Sequence, residues 1–149
     1  MNSAREKNNA DKRELYQSRR KSGICVGCGE KPATASEATG RKVLKLCEDC
    51  RRKSLDSQIR NRVELKKDVM SHYGKDGNML CNWEGCNIED PDMLTIDHID
   101  NSGSAERKKD KSHAGTTFYA ILKRTGYPEG FQTLCHNHQW KKEMVRRRA

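Results

Sequence analysis

The central part of the chain carries apolar residues at a helical spacing. Leu55, Ile59 and Val63 recur every four residues, which places their side chains on one face of an α-helix. We predict a helix over residues 51–73 that links the two halves of the chain. Gly74 follows this helix and is expected to end it by adopting a positive φ.

Two short apolar runs in the C-terminal half predict strands. The first covers residues 93–96 and leads directly into Asp97 and His98, and the second covers residues 131–134. An apolar run of about four residues is too short for a buried helix and is typical of a strand. The chain between the two runs, at residues 117–125, has a helical pattern.

Two helices are therefore predicted in the C-terminal half. The helix at residues 117–125 is closed by Gly126. Its buried side is expected to consist of Phe118, Ile121 and Leu122. The second helix covers residues 135–147 and is strongly basic, and Trp140 within it is predicted to lie in the core.

The N-terminal half is more polar. Residues 1–22 carry little apolar surface beyond Leu15 and Tyr16. We predict a basic flexible arm there, helical only around residues 13–20. Further on, the short apolar stretch at residues 43–46 is suited to a strand.

Composition limits the size of any hydrophobic core. Of the 149 residues, 33% are hydrophobic, 5% are aromatic and 34% are charged. Small domains with so little apolar surface generally depend on metals or disulfides. The chain has seven cysteines, and it shows neither an apolar leader nor an apolar run of membrane-spanning length. We therefore expect a cytoplasmic protein whose thiols are reduced and available to metal.

The net charge of +9 and the pI of about 9.3 point to a polyanionic partner. The basic residues are clustered, at residues 19–21, 51–53, 60–67, 107–109 and 146–148. Such clusters favour nucleic acid, whose phosphates provide salt-dependent affinity. An anionic membrane surface is disfavoured because none of the clusters adjoins a strong apolar face.

Two pairs of cysteines in the N-terminal half have the spacing of a zinc knuckle. Two residues separate Cys25 from Cys28, and two residues separate Cys47 from Cys50. Such pairs can converge on one tetrahedral zinc and form a closed structural site. Disulfide-linked or simply buried cysteines are the alternative. A thioredoxin-like redox motif is disfavoured because no βαβ pattern surrounds either pair.

A second set of metal ligands is predicted in the C-terminal half. Cys81 and Cys86 are followed much later by Cys135 and His138, and three thiolates with one imidazole complete a tetrahedron. Two sites of four ligands need eight ligands, which the seven cysteines and His138 supply with no thiol left over. His136 is a competing fourth ligand, but it directly follows Cys135, and adjacent residues are poorly placed to bind the same metal ion.

The stretch Leu94-Thr-Ile-Asp-His-Ile99, followed by Gly130-Phe-Gln-Thr-Leu-Cys-His-Asn-His138, resembles the HNH endonucleases of the ββα-metal class. The resemblance covers roughly residues 65–145 and is to the zinc-stapled versions common in phages and mobile elements. The four-cysteine knuckle at residues 25–50 lies outside it. Together with the patterns described above, the resemblance predicts a small, zinc-stabilised α+β fold in four segments. These are a basic flexible arm (1–22), a zinc-ribbon-like knuckle with four cysteines (23–52), a linker helix (53–74) and a ββα-metal (HNH) domain with a structural zinc (75–149).

The resemblance also implies a catalytic centre. His98 matches the general base that activates water, and Asp97 matches the aspartate that holds a catalytic Mg²⁺ or Mn²⁺ against the scissile phosphate. Two positions depart from the family pattern. Gly130 stands where a middle Asn is usual, and Gln139 stands where the last His or Asn is usual. Because a glutamine carbonyl can bind magnesium, Gln139 is the expected second protein ligand of the catalytic ion.

Two functions are compatible with these residues. The first is a metal-dependent endonuclease or nickase that hydrolyses DNA phosphodiester bonds in a bacterial or phage-infected cell. The alternative, favoured by the two departures, is a non-catalytic zinc-containing module that binds DNA or RNA, or assists a larger phage or nucleoprotein complex. In both, DNA is preferred over RNA as the partner. The expected nucleic-acid contacts are Arg51, Arg52, Arg60, Arg62, Lys141, Lys142, Arg146, Arg147 and Arg148.

Overall fold

The structure, a computed structural model, describes residues 3–34, 45–110 and 115–148. The chain divides into two compact units, Met1–Ile59 and Arg60–Ala149. Its helices and strands are α1 (Ser3–Lys21), α2 (Glu48–His72), a 3-10 turn (Lys75–Gly77), β1 (Leu94–His98), α3 (Gly103–Lys109), α4 (Gly115–Arg124), β2 (Phe131–Cys135) and α5 (His136–Arg148). The prediction of a small α+β fold is confirmed. Within the described residues, no helix combines the length and apolar character needed to cross a membrane.

Helix α1 is basic and exposed to solvent over most of its length. The sequence predicts helix only around residues 13–20, but α1 covers Ser3–Lys21. The basic residues 19–21 form its last turn, where positive charge interacts favourably with the helix dipole. Gly23 follows with a φ of 68°, a left-handed conformation that reverses the chain after the helix.

A tight loop follows α1, and Ile24 and Pro32 pair across it in an antiparallel bridge. Within the loop the amide of Gly29 donates to Cys25 O at 2.8 Å. These backbone bonds fix the loop that carries the first cysteine pair. The strand predicted at residues 43–46 lies partly outside the described residues, and its described part is not a strand.

Helix α2 covers Glu48–His72, close to the predicted residues 51–73. Gly74 follows it, but the predicted positive φ is wrong, because the observed φ is −85°. Glycine is needed there for space instead, since a Cβ would lie 1.9 Å from Asn78 O and 2.7 Å from Met70 O. The backbone leaving the helix therefore passes close enough to exclude any side chain.

The apolar stripe of α2 is buried only near the C-terminal end of the helix. Leu55, Ile59 and Val63 are 54%, 49% and 43% exposed, whereas Val69 and Met70 are fully buried. The last turns of α2 thus belong to the core of the second unit. The earlier apolar positions contribute little to a core.

The second unit is built on a two-stranded antiparallel sheet. In β1 and β2, Leu94 lies opposite Cys135 and His98 lies opposite Phe131. Both predicted strands are present. Strand β1 begins one residue later and ends two residues later than predicted, and β2 ends one residue later. Helix α4 contributes Phe118 and Leu122 to the core, as predicted, but Ile121 is only partly buried. The full core cluster is Val69, Met70, Tyr73, Cys81, Cys86, Leu94, Ile96, Phe118, Leu122, Leu134 and Cys135.

Helix α5 follows β2 without a loop and packs against both strands. No described residue of α5 is buried. The predicted core position of Trp140 is therefore wrong, and its side chain is 65% exposed. Polar contacts hold the helix in place instead: Lys142 Nζ donates to His98 O at 2.6 Å and to Ile99 O at 3.1 Å.

Candidate functional site

Cys25, Cys28, Cys47 and Cys50 meet at one point, with their sulfur atoms within 4.8 Å of one another. The sulfur atoms of Cys28 and Cys47 are 3.9 Å apart. Ligands in a zinc tetrahedron with bonds of about 2.3 Å are about 3.8 Å apart, whereas a disulfide holds its sulfur atoms at about 2.05 Å. All seven cysteines are unpaired. The geometry of this first group therefore fits a metal ion and not disulfides.

Backbone amides near the first group stabilise thiolates. Burial raises the pKa of the Cys25 thiol, but the amides of Cys28, Cys47 and Gly27 outweigh burial and lower the pKa to about 6. Cys50 shows the opposite effect, since hydrogen bonding with Cys47 and burial raise its pKa to about 12. Four sulfur atoms this close cannot all ionise without a cation, and a divalent ion would remove that restriction.

Cys81, Cys86, Cys135 and His138 form a second group, whose ligand atoms also lie within 4.8 Å of one another. His138 Nδ1 is 3.1 Å from Cys135 Sγ and 3.6 Å from Cys81 Sγ. The Trp83 ring stacks parallel to the His138 ring with the centroids 4.9 Å apart. The three cysteines are buried, so this group is largely shielded from solvent.

The structure thus brings together the eight ligands predicted for two structural zinc ions, and both groups are compatible with zinc. His136, the competing ligand, is not part of the second group. His136 and His138 are two residues apart on α5, so their side chains point to nearly opposite sides of the helix. His138 faces the cysteines, and His136 lines a cavity on the other side.

This cavity has a volume of about 720 Å³ and lies at the end of β1. The three residues predicted to be catalytic, Asp97, His98 and Gln139, all line it. Asp97 and His98 are the last residues of β1, and Gln139 lies near the start of α5. The wall also contains His136, Trp140, Lys142, Glu143, Arg146 and Arg147. Carboxylate, imidazole, amide and guanidinium groups therefore face one space.

His98 is buried and held by polar and aromatic contacts. Its Nε2 lies 3.0 Å from Glu106 Oε2, and Ser102 Oγ donates to Glu106 Oε1 at 2.8 Å. Its ring stacks on Phe118 and meets Phe131 edge to face. Because an ionised carboxylate only accepts hydrogen bonds, the proton belongs on Nε2. In the neutral ring, Nδ1 then carries the lone pair.

Asp97 is buried under α5 and has two side-chain partners. Its Oδ2 accepts hydrogen bonds from Lys142 Nζ at 2.6 Å and from Gln132 Nε2 at 2.9 Å. The Lys142 side chain is only 18% exposed. The sequence assigns Lys142 to nucleic-acid contact, but the structure directs its charge inward, to the end of β1.

The other predicted nucleic-acid contacts are spread over two helices. On α2, Arg51 donates to Glu48 Oε2 at 2.6 Å. The exposed arginines of α2 are Arg52, Arg60 and Arg62. At the cavity, Arg146 and Arg147 donate to Glu143 at 2.7 Å and 2.8 Å, which neutralises one of their two charges. The remaining two predicted contacts, Lys141 and Arg148, are exposed on α5.

Sequence reasoning missed two residues of this site. Glu106 lies on α3, a helix that was not predicted because its segment, Gly103–Lys109, has no apolar period. The sequence predicts His136 only as a competing zinc ligand. Helix geometry could have identified it, since a histidine two residues before His138 must face away from the metal group.

Comparison with known proteins found no match: no family model, no curated protein and no solved structure corresponds to the chain. Cysteine groups of this kind occur in many classes of protein and do not define a family by themselves. The side chains that line the cavity at the end of β1 are therefore the features of the chain that bear most directly on its function.

Proposed function

We propose that the chain is a metal-dependent nuclease of the HNH type that hydrolyses phosphodiester bonds, with DNA preferred over RNA. The observation that carries the proposal is that Asp97, His98 and Gln139 line one cavity together with Arg146 and Arg147. A general base, oxygen ligands and cations are the groups that phosphodiester hydrolysis uses. Two antiparallel strands, the second running directly into a helix, agree with the HNH resemblance.

In this proposal His98 takes the proton of the attacking water. Its Nε2–H donates to Glu106, which makes Nδ1 the basic nitrogen. The water oxygen bonds to phosphorus, the P–O ester bond breaks, and the leaving oxygen takes up a proton from solvent. Arg146 and Arg147 balance the negative charge that grows on the phosphate oxygens.

Asp97 and Gln139 offer oxygen ligands of the kind that Mg²⁺ and Mn²⁺ prefer. Lys142 and Gln132 hold Asp97 Oδ2, which leaves Oδ1 to serve as a ligand. A bound ion would supply a Lewis acid that stabilises charge on the phosphate. Outside the two cysteine groups, the described residues contain no further set of three His, Cys, Asp or Glu ligands. Phosphate and water would therefore complete the coordination.

A non-catalytic nucleic-acid-binding module is the second candidate. The Lys142 ammonium lies 2.6 Å from Asp97 Oδ2, so a cation already neutralises the carboxylate that the catalytic ion would need. Gly130 and Gln139 also depart from the family pattern. In this alternative the same cationic cavity binds phosphate without cutting, and the zinc ions serve only to hold the fold.

Labelled oligonucleotides of one sequence, offered as single-stranded DNA, duplex DNA and RNA, separate these two candidates. A nuclease should cut at least one of them when Mg²⁺ or Mn²⁺ is added and none without added divalent ion, and it should cut DNA faster than RNA. Zinc content is measured before and after each reaction. Binding without cleavage under every condition would contradict the nuclease and favour the binding module.

Glu106→Gln is expected to lower the cleavage rate constant by about 10- to 100-fold, the effect known for carboxylates that orient metal-ligating histidines in the same way. The amide keeps the size of the side chain but removes the charge that fixes the Nε2–H tautomer of His98. Single-turnover cleavage gives the rate constant, and fluorescence anisotropy gives the affinity. We expect the rate to fall and the affinity to stay unchanged.

Two further variants test whether the effect depends on the negative charge at position 106. Glu106→Asp should restore part of the rate, because it restores the charge. Glu89→Gln changes an exposed glutamate outside the cavity and should have no effect. An unchanged rate in Glu106→Gln, or weakened binding with the rate constant intact, would contradict the role.

Replacing Arg146, Arg147 and Arg148 together with glutamine is expected to weaken binding to nucleic acids of every sequence. Each lost phosphate contact should flatten the slope of log affinity against log salt by about 0.9 on duplex DNA. Titrations at several salt concentrations measure the slope. Lys75→Gln, at an exposed lysine outside the cavity, is the control. An unchanged slope in the triple variant would show that this end of α5 points away from the nucleic acid.

A further inference from the structure

Trp140 occupies an unusual position for a tryptophan. Its side chain is 65% exposed, and it lines the cavity that also contains His98 and Gln139. Tryptophan side chains are normally well buried, and the other tryptophan, Trp83, packs on the His138 ring. An exposed indole in the wall of a polar cavity, rather than on open surface, indicates a ligand that covers it.

The fold of α5 does not depend on Trp140. No described residue of α5 is buried, so the indole ring is not part of a core. His138 fixes the start of the helix through the second metal-ligand group, and Lys142 fixes its middle through Asp97 and two backbone carbonyls. Removal of the ring should therefore leave the helix in place.

The surroundings of Trp140 are cationic. Arg146 and Arg147 line the same cavity, and Glu143 neutralises only one of their two charges. Residues three, four and seven apart lie on one face of a helix, so Trp140, Glu143 and Arg147 share a face of α5. Proteins that hold single-stranded nucleic acid combine the same groups, with cations on the phosphates and aromatic rings on the bases.

We infer that Trp140 is a stacking site for an unpaired nucleobase, and that the proposed nuclease acts on single-stranded or locally unpaired nucleic acid. The inference rests on the proposed function for the identity of the ligand. In a duplex each base is stacked on its neighbours, whereas an unpaired base offers a free face to the indole ring. A protein partner is disfavoured, since charged residues are depleted at the centres of protein interfaces.

The test measures binding without added divalent ion, so that no substrate is cut. The probes are oligo(dT), oligo(rU) and a blunt duplex of equal length. Binding of oligo(dT) should quench tryptophan fluorescence in the natural chain. Trp140→Ala should weaken oligo(dT) binding by about 5- to 150-fold, the range that corresponds to stacking of one base, and leave duplex affinity unchanged. Comparison of oligo(dT) with oligo(rU) shows whether the stacked base comes from DNA or RNA.

Two variants sharpen the comparison. Trp140→Phe keeps an aromatic face but no indole emission, so it should retain most of the affinity and lose the quenching. Val145→Ala changes a residue of α5 that is 58% exposed and does not line the cavity, so it should bind as the natural chain does. Equal zinc content and equal helix content in all variants show that the fold is intact.

Three results would overturn the inference: equal losses on single strands and duplex, no loss on either, or a change in oligomeric state with nucleic-acid binding intact. The last would identify Trp140 as a protein contact. The inference and the proposed nuclease can fail separately. Single-strand preference without any cleavage refutes only the nuclease, and cleavage by a chain whose oligo(dT) affinity does not depend on Trp140 refutes only the stacking site.

Discussion

Replacing His98 with alanine is expected to lower the rate of phosphodiester cleavage by about 10²- to 10⁴-fold, the usual contribution of a general base. His98 Nε2 lies 3.0 Å from Glu106 Oε2, and in the proposed function the Nε2–H donates to this carboxylate while Nδ1 takes the proton from water. Affinity for nucleic acid should stay unchanged, because the proposed function assigns the phosphate contacts to the arginines of α5. Zinc content should also stay unchanged, since neither metal-ligand group includes His98.

The His98 ring also packs against Phe118 and Phe131, so alanine removes packing as well as the base. His98→Gln separates the two effects. Glutamine is closer in volume to histidine and cannot act as a base, so it should give the same loss of rate with a smaller loss of thermal stability. His72→Ala, at an exposed histidine outside the cavity, is the matched control. Cleavage by His98→Ala at the natural rate would show that another group removes the proton.

Cys135→Ser is expected to lower the zinc content from about two to about one equivalent per chain and to unfold the second unit. Cys135 is the last residue of β2, it lies in the core, and its amide donates to Cys81 Sγ at 3.2 Å. A serine hydroxyl does not replace the thiolate, and a structural zinc contributes about 10–16 kcal/mol in small zinc-dependent domains. The first unit should keep its own metal, because its four ligands are unchanged.

Tryptophan emission and metal analysis together test this prediction. Trp83 and Trp140 both lie in the second unit, so their emission reports that unit alone. Cys135→Ser should shift the emission to longer wavelength as Trp83 leaves the His138 ring. Cys28→Ser is the matched change in the first group and should also lose one zinc, but without the shift. Two zinc ions retained by Cys135→Ser, or none retained by either variant, would contradict the assignment of ligands.

The two metal-ligand groups could be predicted because their signals are local and their number is restrictive. A pair such as Cys25 and Cys28 has a metal-binding spacing whatever surrounds it. Seven cysteines and one histidine fill two tetrahedra, which left only the choice between His136 and His138. The helical geometry of α5 selects His138, because side chains two residues apart point to nearly opposite sides of a helix and only one of them can face the cysteines.

Burial could not be predicted in the same way, because it depends on which element packs against a face. Leu55 and Ile59 have the same helical period as the buried Val69, yet they are about half exposed. Trp140 is a large aromatic residue of the kind usually found in a core. Helix α5, however, is held in place by polar and metal-ligand contacts, and none of its described residues is buried. Periodicity identifies the apolar face of a helix but does not show which element, if any, packs against that face.

The orientation of the His98 ring could not be predicted from the sequence either. Its partner Glu106 lies eight residues later on α3, a polar helix without an apolar pattern. The pairing depends on how α3 packs beside the end of β1, which no local spacing specifies. Lys142 is a similar case. Its place among the basic residues of α5 suggested a phosphate contact, whereas three acceptors at the end of β1 bind its ammonium.

Relaxation of supercoiled plasmid DNA is the most direct measurement of the proposed catalytic centre. The natural chain and His98→Ala, matched for zinc content, are incubated with plasmid with and without added Mn²⁺ or Mg²⁺. We predict that nicked circles accumulate only with the natural chain and only when one of these ions is added. Equal nicking by both proteins, or cleavage of neither supercoiled plasmid nor single-stranded DNA by the natural chain in either ion, would contradict a catalytic role for the cavity formed by Asp97, His98 and Gln139.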